Sequence, residues 1–393
     1  MLANPFKLKD IVSCFCEEIG EQLEATIYDF NEDKTLAYIH FLHQDKRLDR
    51  WIDINKIKPF TGRHSLRWID KEDSEEEPNA DAFVQKFEDL HKQVTRIRNI
   101  DQITIGAYTI RTWYYSPYPI SIAKASHLYI CENCFRYFTT KEELEHHMIE
   151  KKETRPPGRE IYRKGNISIF EFQGFRQKLT CQCLCLLSKL FLDHKTLFYD
   201  VEGFVFYALC ECDQNGAHIA AYFSREIVSD QGNILACIVV LPPYQKKGYG
   251  QFLIALSYEI ARRSKKVGGP ERPLSDLGKI AFRSYWKKSI LELFRARDIQ
   301  SLHEIVQCTS IAKQDIIEVL KEMDCVTKIR GEYELRVNPE KLSYAIAQYE
   351  QRSNGNRPAF DPNYLIWLPE DEANNILTTN SMEDTTEVPE PSS

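Results

Sequence analysis

The chain has 393 residues, 43% of them hydrophobic and 28% charged, with a formal net charge of −7. That length holds two or three domains with buried cores, and the acidic balance argues against broad wrapping of nucleic acid, which needs a basic footprint. No apolar run reaches the roughly 18 residues of a membrane span, and the first residues lack a signal-peptide core, so an intracellular protein with reduced thiols is expected.

Residues 7–60 read as short alternating strands, with I-Y-D-F, A-Y-I-H-F-L and D-R-W-I-D separated by polar turns. This predicts a small all-β barrel. The acidic D-K-E-D-S-E-E-E-P, Asp70 to Pro78, repels itself and marks a solvated linker over 61–98. A larger unit then spans 99–378. Within it, C-E-N-C, Cys131 to Cys134, is followed by a helical stretch ending in E-H-H-M. Strands are predicted at I-S-I-F-E-F, F-V-F-Y-A-L-C and the apolar run L-A-C-I-V-V-L, Leu235 to Leu241. Next come two glycines and a helix whose Phe252, Leu256 and Ile260 face a core. Beyond Trp286, S-L-H-E-I-V-Q and K-Q-D-I-I-E-V-L-K-E-M form a helix-turn-helix-like pair without a basic recognition helix, which favours packing over DNA reading. The tail, 379–393, lacks apolar content and is expected to be disordered. There is no internal repeat.

The stretch Q-K-K-G-Y-G, Gln245 to Gly250, lies between a strand and a helix N-terminus, where free amides and the helix dipole favour an anion. The Walker spacing is absent, and the dinucleotide pattern fails because Leu253 stands where a small residue is needed. What remains is a glycine-rich turn or a loop for another phosphate ligand.

Five separated strings decide between these: W-Y-Y-S-P-Y-P, R-P-P-G-R-E-I-Y-R, L-F-L-D-H-K-T-L-F-Y-D, A-C-I-V-V-L-P-P-Y-Q-K-K-G-Y-G and P-L-S-D-L-G-K-I-A-F-R-S-Y-W. Together, and in family order from about Asn99 to Pro369, they closely resemble the MYST family of histone acetyltransferases. A-Y-I-H-F-L-H-Q-D-K-R-L-D-R-W-I resembles the chromo barrel, or tudor-knot, of the branch that includes the males-absent-on-the-first and Tat-interactive acetyltransferases. The resemblance implies an α+β fold. Its core, 166–288, would be an N-acetyltransferase-like mixed, mostly antiparallel sheet, with a zinc-finger-like unit at 127–152 and a helix-turn-helix-like unit at 289–378. It implies transfer of acetyl from acetyl-coenzyme A to histone-tail lysines, in the nucleus and within a chromatin-modifying complex.

Residue roles follow from the same resemblance. Ile238, Val239 and Val240 would hold the acetyl and pantetheine end, and Gln245, Lys246, Lys247, Gly248, Tyr249, Gly250 and Gln251 the pyrophosphate, with Ser275 and Ser284 as further coenzyme contacts. Glu271, in G-G-P-E-R-P, would be the general base, raised in pKa by partial burial. A base is required because at pH 7 only roughly one lysine amine in a few thousand is neutral. Cys237 either accepts the acetyl group or lines the acyl pocket; the residues alone suggest a buried Cys in an apolar strand. Lys195 matches the lysine that family members acetylate on themselves, and otherwise reads as an exposed lysine.

Two features leave alternatives open. The finger has Cys131, Cys134 and His147, but Lys151 stands where the family has its fourth ligand, a cysteine. Zinc binds if His146, Glu150 or water completes a tetrahedron; otherwise an apolar core holds a degenerate finger. In the barrel, Tyr38, Phe41 and Trp51 form either an aromatic wall for methyl-lysine or the core of a very small domain, and RNA or a partner subunit are further ligands for such a module. The rival function is a catalytically weakened chromatin-binding scaffold. Acetylation of a small amine fits the attached barrel poorly.

Overall fold

A computed structural model describes residues 5–60, 95, 97–193, 195, 198–329, 331–352 and 357–369. Most of the expected linker and all of the expected disordered tail lie outside the described residues. The chain divides into two compact units, one of 1–131, 135–151 and 183–198, the other of 132–134, 152–182 and 199–393.

The first unit carries two sheets. Strands β1 (Ile11–Cys16), β2 (Glu21–Phe30), β3 (Leu36–Phe41), β4 (Arg50–Asp53) and β5 (Lys58–Pro59) pair antiparallel in the order β4-β3-β2-β1-β5. Period-two alternation turns Val12, Cys14, Cys16, Ala25, Ile27, Ala37, Ile39 and Phe41 into one core. Strand β1 lies in the stretch read as short alternating strands, and its I-V-S-C-F-C alternates as a half-buried strand should. The second sheet has the order β7-β6-β8-β9, from β6 (Gln102–Ile105), β7 (Tyr108–Arg111), β8 (His127–Ile130) and β9 (Tyr137–Phe138), with β6 and β8 parallel. Helices α1 (Ile120–Ala123) and α2 (Lys141–Lys151) accompany it.

The second unit is built on β10 (Arg159–Lys164), β11 (Ile167–Gln173), β12 (Phe204–Asp213), β13 (Gly216–Glu226) and β14 (Cys237–Val240), antiparallel throughout in that order. Among the described residues, its parallel component is two isolated bridges, Leu235 with Pro270 and Gly268 with Ile311. Strand β11 is buried on both faces, which is why I-S-I-F-E-F reads as a nearly continuous apolar run. Helix α3 (Lys178–Lys189) lies between β11 and β12 in sequence, and α4 (Tyr249–Arg263) packs on β13 and β14. Then come α5 (Asp276–Ala296), α6 (Leu302–Thr309), α7 (Lys313–Glu322), the hairpin β15 (Val326–Ile329) with β16 (Glu332–Leu335), and α8 (Pro339–Arg352). Trp286 on α5 donates its indole N–H to the Tyr258 hydroxyl on α4 at 2.7 Å, so the buried polar atoms between these helices satisfy each other. Helix α6 begins at Ser301, whose hydroxyl caps the Glu304 amide while the Glu304 carboxylate accepts from the Gln300 amide.

Candidate active site and metal centre

The candidate site starts from a sheet edge. Among the described residues, strand β14 pairs only with β13, Val239 opposite Tyr222 and Cys237 opposite Ser224. The Leu241 amide donates to Ala220 O at 2.9 Å in the same register, so odd-numbered residues turn their backbone groups toward β13. The amides of Ile238 and Val240 therefore point off the edge, and the Val240 carbonyl accepts from the Gln245 side chain at 3.1 Å on that outer side. An extended acyl chain can pair there as an added strand would. Cys237, at the head of β14, is half-buried rather than enclosed.

Past Val240 the chain turns into α4. Gly248, the residue before its first turn, has φ 102°, and Lys246 before it is also left-handed at φ 62°. No side chain caps this helix, so its first amides face outward with the positive end of the dipole. Gly250 is different: its backbone is helical, and an added Cβ would meet only Val240 Cγ2 at 3.8 Å. The Tyr249 hydroxyl donates to Glu211, whose carboxylate lies 3.5 Å from Lys247 Nζ. Sequence reasoning missed the wall of this loop, Arg357 and Pro358, which stand 3.3 and 3.5 Å from where a Gly248 Cβ would be. That strap of residues 357–369 is tied down by Arg263, which donates to the carbonyls of Pro362, Leu365 and Trp367. The partners are 99 to 104 positions apart, and nothing in a local pattern links them.

The segment bearing Glu271 is held from both sides. The Gly268 amide donates to Ser310 O at 3.1 Å and Ala312 returns a bond to Gly268 O at 3.0 Å. On the other side Ile234 donates to Gly269 O, and the Glu271 amide donates to Leu235 O at 2.8 Å. A Cβ on Gly268 would sit 2.1 Å from Gly232 O, and one on Gly269 2.5 Å from Asp315 Oδ2. Both glycines are thus required by close approach. Asp315 is 3% exposed and pairs with Arg272 at 2.5 Å; burial raises its pKa, against the pull of that guanidinium. The parallel bridge of Pro270 with Leu235 brings the Glu271 backbone alongside the chain that leads into Cys237. Glu271 itself is exposed, not partly buried as the sequence analysis expects, because the segment's packing is made by its glycines and backbone.

Ser275 is the N-cap of α5, its oxygen accepting from the Gly278 amide at 3.1 Å, which leaves the hydroxyl proton to donate elsewhere. Ser284 is exposed on the same helix, and Gln251 of α4 donates to Ala281 O nearby at 2.7 Å. Lys195 belongs to the other unit and is 8% exposed, so it is no ordinary surface lysine.

The Sγ atoms of Cys131 and Cys134 and a ring nitrogen of His147 lie within 4.8 Å of one another. A tight turn makes this geometry: Phe135 at φ 61° donates its amide to Cys131 O, and Cys131 donates to Arg136 O, both at 2.9 Å. His147 is the buried residue of α2, with Phe138 against its ring at 5.0 Å. Two thiols and an imidazole so placed fit zinc. When bound, zinc would cross-link the knuckle to α2. Neither His146 nor Glu150 joins the cluster among the described residues; both are exposed and lie 3.6 Å from each other, and Lys151 is exposed at the helix end.

Comparison with known proteins matches residues 155–365 to the MOZ/SAS family, 97–150 to the MYST family zinc finger domain and 8–59 to the RNA binding activity-knot of a chromodomain. A putative MYST-like histone acetyltransferase 1 of Oryza sativa subsp. japonica is 38% identical over 354 residues, covering 84% of this chain and 77% of the relative. Histone acetyltransferase MOF of Drosophila melanogaster is 42% identical over 292 residues, 73% of this chain and 35% of that protein. Histone acetyltransferase esa1 of Emericella nidulans is 40% identical over 316 residues, 77% of this chain and 62% of that one. The chain belongs to the MYST family. It is a protein-lysine acetyltransferase with acetyl-coenzyme A as its donor. The open edge of β14 and the uncapped N-terminus of α4 both lie within the matched MOZ/SAS segment.

Proposed function

We propose that the acetyltransferase modifies lysines of histone tails by direct attack of the amine on acetyl-coenzyme A, with Glu271 as the general base. Glu271 takes the ammonium proton; the freed lone pair attacks the thioester carbonyl carbon. The carbonyl oxygen becomes negative, and an outward amide of β14 stabilises it. The C–S bond then breaks, the second proton on the attacking nitrogen passes to the departing coenzyme A thiolate, and the lysine keeps the acetyl group as a neutral amide. An exposed carboxylate returns its proton to water between turnovers. The observation that carries this reading is the bond from the Glu271 amide to Leu235 O, which fixes the carboxylate's backbone beside the donor edge.

The second reading routes the acetyl group through Cys237, which is half-buried at the head of β14. A base is required on either route and the thiol on only one, which favours direct attack. In the same reading Ser275 and Ser284 contact the coenzyme, Lys195 is acetylated by the enzyme itself, and residues 7–60, 99–378 and, within it, 127–152 are the barrel, the catalytic domain and its finger. The enzyme works in the nucleus, on nucleosomes and with partner subunits, as its relatives' names as histone acetyltransferases suggest. Purified protein incubated with acetyl-coenzyme A and nucleosomes, followed by mass spectrometry of the histones, tests the substrate. Acetyl groups on tail lysines are expected; unmodified histones would favour the scaffold.

A further inference from the structure

Of the barrel aromatics Tyr38, Phe41 and Trp51, the first two are buried and the third is half-buried. Phe41 is 0% and Tyr38 2% exposed, and Trp51 meets Tyr38 edge-on at 5.3 Å. A methyl-lysine cage needs open ring faces around a cation. Tyr38 instead turns its hydroxyl to the amide of Arg98, at 3.5 Å, and Arg98 is itself buried, with its guanidinium on Thr112 O at 3.0 Å. Three further contacts leave the barrel around this point. The Glu18 carboxylate holds Arg50 within the barrel and Arg111 of β7 outside it, the latter at 2.8 Å. Arg47 lies 5.1 Å over the ring of Trp113, and Lys46 reaches Asp193 at 3.4 Å. Trp113 and Tyr114 in turn donate their amides to Leu190 O, at 2.8 and 3.0 Å, and the Trp113 ring meets Phe191 edge-on. The barrel therefore touches both 98–113 and the segment that runs on to Lys195.

We propose that this face of the barrel is an intramolecular docking surface: Glu18, Tyr38, Lys46 and Arg47 clamp the finger-side segments 98–113 and 190–193, in place of binding methyl-lysine. The contacts are polar and charged around one buried phenol, as suits a surface that can be released by salt or by a competing polyanion.

Amide hydrogen exchange on the full chain tests it, read at Trp113 and Tyr114 with the barrel-core amides of β1–β3 as the control of folding. Arg111→Glu sets two carboxylates against each other, and Lys46→Glu does the same at Asp193. Each should speed exchange at Trp113 and Tyr114 by about threefold or more while the β1–β3 amides stay protected. Combining Arg111→Glu with Glu18→Arg should restore protection. Unchanged exchange in both single variants would overturn the proposal. So would a trimethyl-lysine peptide that binds the wild-type chain and loses that binding in Tyr38→Ala.

Discussion

At Gly248 the backbone is left-handed, and any side chain there would be strained as well as crowded by Arg357. Gly248→Ala should therefore cost about 1–2 kcal/mol of stability, measurable by denaturant unfolding, in addition to any loss of coenzyme binding. Gly250 has room for a Cβ, so Gly250→Val should leave the fold intact while calorimetry shows weaker acetyl-coenzyme A binding; unchanged affinity would remove the loop from the site. Lys189 is a second informative residue. It is 6% exposed, donates to Asp193 O, and burial, with Lys46 and Lys195 nearby, lowers its pKa to about 8 despite Asp193. Since the unfolded lysine titrates near 10.4, the unfolded state binds the extra proton between those values, and stability from this group rises with pH across about 8 to 10.4. It is lost as pH falls through the folded value. Lys189→Met should remove that slope from the stability–pH profile, and an unaltered slope would refute the assignment.

Among the elements, two arrangements bear on the proposed site: the strap on Arg263 and the glycine segment before Glu271. Arg263→Ala withdraws donors from three carbonyls and should cost about 2 kcal/mol, with a raised KM for acetyl-coenzyme A as the strap leaves Gly248. Gly269→Ala drives a methyl group into Asp315 and should lower kcat and stability together; normal turnover in that variant would mean that the segment's packing does not set the base. The strand-loop-helix unit was legible because its parts are contiguous: an apolar run, two glycines and a 3.6-residue period. In the sequence, the proposal of Glu271 as base rests on its family string alone, since a lone loop glutamate carries no pattern. The strap, Asp315 beneath Gly269 and Glu211 beside Lys247 were not legible, because each is a contact between segments far apart in sequence. The exposure of Glu271 was misread for the same reason: glycines and prolines announce a shaped loop, but not which face of it solvent reaches.

For the whole molecule, composition and the quoted strings were enough for the fold class, and the barrel's two-residue alternation for its core. How the barrel docks was not, because Glu18 and Arg111 lie in different sheets and charges on a surface have no period. The metal is also a property of assembly: elemental analysis of protein purified without chelator should give one zinc per chain, and chelation should lower the melting temperature. A metal-free, equally stable protein would establish the finger as held by its apolar contacts. The central claim is catalysis by Glu271, and the rate of acetyl transfer to a histone-tail peptide, followed across pH for wild type, Glu271→Gln and Cys237→Ser, tests it most directly. Direct attack predicts that Glu271→Gln loses roughly 100-fold or more near neutral pH, together with the acidic limb of the profile, while Cys237→Ser is mild wherever coenzyme binding survives. Near-normal turnover in Glu271→Gln with that limb unchanged would contradict it.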